Sequence, residues 1–305
     1  MLDRRQLLTG VVGGLLGGLA RPRRAAAQAG AAPGVVSLTD RVSLVTSGGT
    51  NVLALTTGDG LVLVDSGVPA LTDRLVDALR PLGGVRTVFN THWHVENTGA
   101  NGVLRQGGAT VVAHENTRLW MATPIWVPAE DRYRPARPAL DQPNETFRAD
   151  GSMTRGGARI DYGYLIEAHT NGDIYVFFRD ANVLAAGDVV SPARDPELDY
   201  FTGAWLGGRV DALSRLLALS DRDTRIVPGS GPVMSRADLQ AERDLMKTLY
   251  DRTVDRIRQG DDADDMLAAG VMNGLPRTWK DPRKFLYDVN KGLWAHHNKL
   301  SPNVV

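Results

Sequence analysis

Between Val42 and Gly260 the chain twice lays down a set of short β-branched and leucine-rich runs and follows it with helical spacing. That double alternation limits the folds open to it. Runs of roughly four to eight such residues bounded by turn residues are strands, whereas apolar residues three and four apart mark helices. In "RVSLVTSGGTNVLALTTGDGLVLVDSGV" the runs break at Gly48-Gly49 and at Gly58-Asp59-Gly60, which predicts hairpins. Leu71, Leu75, Val76 and Leu79 carry helical spacing that stops at Pro81 and Gly83, and "VRTVFNT" is the next strand. "ATVVAHE" is a short strand, and the five prolines between Pro124 and Pro143 read as a long loop. The second set holds strands in "ARIDYGYLIEAHT", "DIYVFF" and "NVLAAGD", a loop through "YFTGAWLGG", a helix "RVDALSRLLALS" and a strand "TRIVPGSG". A long amphipathic helix, started by Ser235 and stopped by Gly260, closes it. Two such halves predict an α/β fold of two sheets packed together with helices outside.

The chain has 305 residues, 43% of them hydrophobic, enough for a sizeable core. Thirty-five basic residues balance 35 acidic ones, so no global field steers the protein onto nucleic acid or an anionic membrane, and a small molecule is the expected partner. There is no cysteine. Disulfides, thiolate metal sites and cysteine nucleophiles are therefore excluded, which leaves His, Asp and Glu as the strong ligands.

The N-terminus reads as an address and not as part of the fold. Arg4 and Arg5 precede a short apolar run, Leu7 to Ala20, with five glycines in 14 residues, too short and too weakly helical for a span that needs about 20. Together with Ala25 and Ala27 at the spacing of a cleavage site, the segment resembles a twin-arginine export signal. The expected divisions are a signal at 1–27, the main domain at 35–260 and a C-terminal extension at 261–305 that packs on it. The expected location is periplasmic or secreted, with no stable membrane insertion once the signal is removed.

The chemistry is concentrated in "THWHVENTG". In an extended loop, residues two apart face the same way, so His92 and His94 can reach one ion together. His169 closes "YLIEAHT" just before a polar turn, and Asp188 closes the apolar run "NVLAAGD". A buried strand seldom ends on a lone carboxylate that has no partner for its charge.

In the order "LVLVDSG", "THWHVENTG", "EAHTNGD", "AAGD", "IVPGSGPV", the chain from about Val42 to Gly260 resembles the metallo-β-lactamase superfamily. The resemblance implies an αββα four-layer sandwich of two mixed sheets, and a metal-dependent hydrolase. It implies a first metal site from His92, His94, His169 and Asp188. The second site departs from the family's pattern. In place of H-x-H-x-D-H and a P-G-H-G turn, this chain has Glu96, Asn97 and Ser230. Asn and Ser are poor ligands, and Glu is one methylene longer than the pattern.

One ion is therefore expected, with zinc the leading identity and iron the alternative. Three histidines leave a position open for water. Glu96, freed from ligation, is the candidate general base, or else a substituted residue in a decayed second site. Asp188 either binds the ion or fixes the water. The expected substrate is an ester, lactone or amide. The alternatives are mono-iron oxygenase chemistry on the same fold, or a non-catalytic protein that keeps the metal as a binding element.

Other conspicuous residues have structural readings. Asp65 is expected to support the metal loop through hydrogen bonds, His114 to be structural, and His296 and His297 to sit on a solvated or docking surface. Trp120, Trp126, Tyr200, Phe201 and Trp205 are core or loop-packing residues, or the wall of an apolar cleft over the metal.

Overall fold

The structure is a computed structural model and describes residues 34–127 and 132–300; the N-terminal stretch read above as an export signal with a cleavage site lies outside the described residues. The first half forms strands β1 (Gly34–Ser37), β2 (Val42–Ser47), β3 (Thr50–Thr57) and β4 (Gly60–Val64), helix α1 (Thr72–Leu79) and β5 (Val85–Phe89). Short helices α2 (Val95–Thr98) and α3 (Asn101–Gln106), β6 (Thr110–His114) and α4 (Glu115–Ala122) follow. A hairpin of β7 (Ile125–Val127) and β8 (Arg132–Arg134) precedes β9 (Glu145–Phe147). The second half contains β10 (Gly151–Arg155), β11 (Ala158–Tyr164), β12 (Ile174–Phe178), β13 (Val183–Gly187), α5 (Leu206–Leu219), β14 (Arg225–Pro228) and α6 (Arg236–Arg258). The extension adds α7 (Ala263–Ala268) and α8 (Pro282–Leu300).

Seven strands make one mixed sheet, ordered β1-β2-β3-β4-β5-β6-β9, and five make the other, β10-β11-β12-β13-β14. β1 to β4 are antiparallel and β4, β5, β6 and β9 parallel; in the second sheet only the β13–β14 pair is parallel. The parallel pairs arise where a helix carries the chain back across the sheet. Strand periodicity then sorts the side chains into layers. Val62 and Val64 of the first sheet meet Val176, Phe178 and Ala185 of the second in the central core. From the same strands, Leu61 and Leu63 face the other way, onto Leu75 and Leu79 of α1. Tyr175, Phe177 and Leu184 likewise turn outward to α5 and α6. The result is helix, sheet, sheet, helix. Phe285, Leu286, Val289 and Leu293 of α8 join that last layer.

The turn residues do what their chemistry dictates. Gly48 and Gly49 both have positive φ, 63° and 88°, in the β2–β3 hairpin, and Gly58 and Asp59 close the β3–β4 hairpin between paired Thr57 and Gly60. Helix α6 begins with a capping box, in which Ser235 Oγ accepts from Asp238 N–H and the Asp238 carboxylate accepts from Ser235 N–H at 2.8 Å.

Three expectations about local structure need correction. The proline-rich segment is not wholly irregular, because Trp126 lies opposite Tyr133 in the β7–β8 hairpin, their rings 5.1 Å apart. This ribbon carries a cross-strand aromatic pair and its β8 strand is exposed along its length, so hydrophobic periodicity did not reveal it. The strand read through "ARIDYGYLIEAHT" stops at Tyr164, and Glu167 takes a positive φ of 52° in the turn that follows. Helix α5 starts at Leu206, inside the stretch read as loop. Gly208 weakens helical propensity there, but its lack of a side chain is required: a Cβ would lie 2.4 Å from the Glu167 carbonyl oxygen.

Candidate metal centre

The ends of the strands at one edge of the sandwich bring the distant residues together. The chain leaves β5 at Phe89 and delivers His92 and His94, the latter extended (φ −61°, ψ 145°) as the N-cap residue of α2. His169 sits in the turn after β11, where the Asp173 carboxylate accepts from its backbone N–H at 2.6 Å. Asp188 follows Gly187, which has a φ of 54° and abuts Thr91 so closely that a Cβ would sit 2.7 Å from the Thr91 Cβ. This close approach sets the Asp188 turn directly against the histidine loop.

The three imidazoles stand nearly perpendicular to one another, ring centroids 4.7–4.8 Å apart. One nitrogen of each is engaged from outside. His92 Nδ1 donates to Thr91 Oγ1 at 3.0 Å, since that hydroxyl gives its own proton to Asp65 Oδ2 at 2.8 Å. His94 Nε2 donates to Asp199 Oδ2 at 3.1 Å, and His169 Nδ1 donates to the Glu197 carbonyl at 3.0 Å. Each outer partner is an acceptor and so fixes the tautomer. His92 Nε2, His94 Nδ1 and His169 Nε2 are left facing inward, with the potential ligand atoms within 4.8 Å of one another.

His92 Nε2 is buried without a hydrogen-bond partner, and His94 Nδ1 lies 3.0 Å from His169 Nε2. Lone pairs that converge in this way require a cation or an extra proton between them. An oriented set of three neutral imidazoles is a donor set suited to zinc. The residues present therefore fit a metal ion.

Electrostatics separate the three rings. Burial, reinforced by the neighbouring His169 and His94, holds His92 well below the ordinary histidine pKa. Burial also acts against the charged form of His94, but the hydrogen bond and charge of Asp199 outweigh it and raise its pKa. Burial pushes the Asp65 carboxyl up to about 7, against the hydrogen bonds from Thr91 and Asn97 that favour its charged form.

These histidines sit on a sandwich whose family is legible in the chain as a whole. Residues 45–251 match the family model described as the metallo-beta-lactamase superfamily. The chain belongs to the metallo-β-lactamase superfamily. It is 26% identical over 200 residues to a metallo-beta-lactamase type 2 of Bacillus cereus, covering 65% of this chain and 73% of that one. A second such protein, from Bacillus sp. (strain 170), is 25% identical over 200 residues, covering 65% of this chain and 72% of its own. Among solved structures, a metallo-beta-lactamase from Pontibacter korlensis superimposes with a TM-score of 0.59 at 22% identity, covering 70% of this chain and 99% of that one. The DIM-1 metallo-beta-lactamase superimposes with a TM-score of 0.57 at 19% identity, covering 72% of this chain and 98% of that one. At those identities the structural likeness speaks for the fold.

Within this metallo-β-lactamase sandwich the expected site residues divide. His92, His94 and His169 meet. Asp188 borders the three-histidine group: its Oδ2 is 3.9 Å from both His92 Nε2 and His169 Nε2, and Arg194 engages the same oxygen. Glu96 lies exposed in the first turn of α2 and lines the cavity beside His94. Asn97 is buried, its Nδ2 donating to Asp65 Oδ2 at 3.0 Å, and Ser230 is buried as well. Asp65 supports the loop through Thr91, Asn97 and a bond from the Thr91 backbone N–H at 2.7 Å.

A cavity of about 730 Å³ opens beside His94 and Asp188. Trp120, Trp126, Tyr200 and Phe201 line it, together with Trp93, whose ring is 6.3 Å from that of Trp120. Trp205 does not; it stacks on the His296 ring at 3.8 Å, because α8 docks there. His296 is accordingly half-buried where α8 docks, its Nδ1 3.1 Å from the Glu167 carboxylate, while His297 is exposed. His114 stacks on Tyr164 at 3.9 Å and caps α4 by accepting from Asn116 N–H. Sequence reading missed Asp199, Glu197 and Arg194, since acceptors 28 and 105 residues from the histidines they orient leave no spacing signal.

Proposed function

We propose that the protein is an exported, metal-dependent hydrolase that uses one zinc ion to act on an ester, lactone or amide with a bulky apolar group. The observation that carries the reading is the convergence of three tautomer-fixed histidine nitrogens beside an aromatic-walled cavity. The family supports hydrolysis, and both Bacillus relatives are named as metallo-beta-lactamases. A single ion is supported by the second-site positions, where Asn97 is spent on Asp65 and Ser230 offers a neutral hydroxyl. Export is supported by the Arg4-Arg5 pair and the glycine-rich run after it.

A zinc ion held by His92, His94 and His169 would polarise a carbonyl and lower the pKa of a coordinated water to about 7. The chain's own groups do the rest. Glu96, at the cavity wall and open to solvent, accepts a proton from the attacking water and returns it to the leaving group. Asp188, anchored by Arg194, holds a negative charge against the histidines and orients what binds between them. Trp93, Trp120 and Phe201 exclude water from the apolar part of the substrate. Arg137 and Arg194 line the same cavity; Asp188 offsets the charge of Arg194, whereas Arg137 is bonded to the neutral Thr98 hydroxyl and Trp93 carbonyl and keeps a positive charge at the cavity wall.

The test is Glu96→Gln, which keeps size and hydrogen bonding but removes the proton acceptor. Metal content should stay at the wild-type level while turnover of an aryl ester or lactone found by screening falls about 10²- to 10⁴-fold. Full metal with undiminished turnover would refute the role of Glu96. No hydrolysis of any ester, lactone, amide or cephalosporin by the zinc-loaded wild type would refute the hydrolase reading itself.

A further inference from the structure

We propose that Arg277, in the C-terminal extension, is a positioning residue for the metal centre, acting through the segment Asp188–Asp199. This segment between β13 and α5 has no regular secondary structure, yet it supplies the orienting contacts of Asp188, His169 and His94. Arg194 engages Asp188, the Glu197 carbonyl accepts from His169, and Asp199 accepts from His94. Backbone without a ladder of its own must be held by something else.

Two arginines hold it. Arg209 of α5 is completely buried and donates to Ser191 Oγ at 2.9 Å and to the Glu197 carbonyl at 3.3 Å. Arg277 donates to the backbone carbonyls of Ser191 and, at 2.8 Å, Arg194. Glu242 of α6 lies between them, 3.0 Å from Arg277 Nη1 and 3.8 Å from Arg209 Nη2, and so offsets the charge of both. A second clamp comes from the same extension: the Asp195 carboxylate accepts from the backbone N–H groups of Lys280 and Asp281 at 2.9 and 2.8 Å. Arg277 lies beyond residue 251, where the family match ends, so the superfamily core reaches its own site geometry here through an added element.

The inference rests on the three-histidine metal reading, and metal affinity separates the two. Metal-free full-length protein is titrated with zinc against a chelator, and the cobalt-substituted protein is examined for its visible absorption bands. Arg277→Met keeps length and apolar stem but removes the fork; Asp195→Asn loosens the second clamp at a partly exposed position. Each should weaken zinc binding about tenfold or more, within the range seen when groups that orient ligands are removed, and should alter the cobalt bands. Leu79→Ala, in the helix layer on the outer face of the first sheet, should lower stability yet leave affinity and bands unchanged. Folded Arg277→Met and Asp195→Asn proteins with wild-type zinc affinity and cobalt bands would overturn the proposal. If Arg277→Met does not fold, Asp195→Asn alone decides it by the same criterion. Failure of the wild type to bind zinc or cobalt would overturn the metal reading as well.

Discussion

Asp199 turns His94: its Oδ2 accepts from His94 Nε2 at 3.1 Å and so leaves Nδ1 of that ring facing His169 Nε2. The other two histidines are held by Nδ1 and face inward through Nε2. The contact is supported from behind, since Thr202 Oγ1 donates to the same Asp199 oxygen at 2.7 Å. The tautomer and direction of a ring are thus decided by a carboxylate 105 residues away in sequence.

Asp199→Ala should therefore weaken metal binding without removing a ligand. A loss of about 10- to 100-fold in zinc affinity is expected, measured by chelator competition. Asp199→Asn still accepts through its amide oxygen but carries no charge, and should fall between. Unchanged affinity in the alanine variant would show that His94 needs no help to orient.

Stoichiometry follows from the donors present. Purified protein should carry about one tightly bound ion per chain by elemental analysis, and His169→Ala should abolish it. Two tight ions in the wild type would contradict the single-ion reading.

Restoring the family pattern is the converse experiment. Glu96→Asp, Asn97→His and Ser230→His together should create a second binding event in a zinc titration. Because Asn97 now donates to Asp65, the triple change also strips a hydrogen bond from that buried carboxylate, and some loss of thermal stability should accompany the gain. A titration that still saturates at one ion would mean that these three positions do not define the second site.

Stability should depend on pH through Asp288 of α8. Burial raises its pKa from 3.8 to about 6, and the Lys284 ammonium at 2.5 Å offsets only part of that. A carboxyl with a raised folded pKa binds its proton more tightly in the native than in the unfolded state. It therefore favours folding at low pH, and that contribution is lost as pH rises from about 4 through 6. Asp288→Asn cannot ionise, so the variant should gain on the wild type across this interval, read as urea midpoints at pH 4.5 and 7. Parallel midpoints at the two pH values would show that Asp288 titrates normally.

Much of the fold lies open in the residue pattern. Short continuous apolar runs in "IYVFF" and "LVLV", two glycine hairpins and the Ser235 capping box each encode their element locally, through β-branched and aromatic composition and turn chemistry. Exposed or glycine-weakened elements escape this logic. β8 is exposed along its length, and the start of α5 carries a glycine because no side chain fits where Gly208 passes under Glu167.

The site divides along the same line. The identities of the donors, His92, His94 and His169, and the absence of cysteine and of the second-site histidines are properties of the sequence alone. Local spacing brings His92 and His94 together without help from the rest of the chain. Only the tertiary structure decided which nitrogen of each ring faces inward, that Arg194 takes hold of Asp188, that Trp205 leaves the cleft for His296, and that Arg277 grips the segment orienting the histidines. A hydrogen bond depends on ångström-scale distance and direction between groups that may be 86 or 105 residues apart, and nothing in the chain's local order records that.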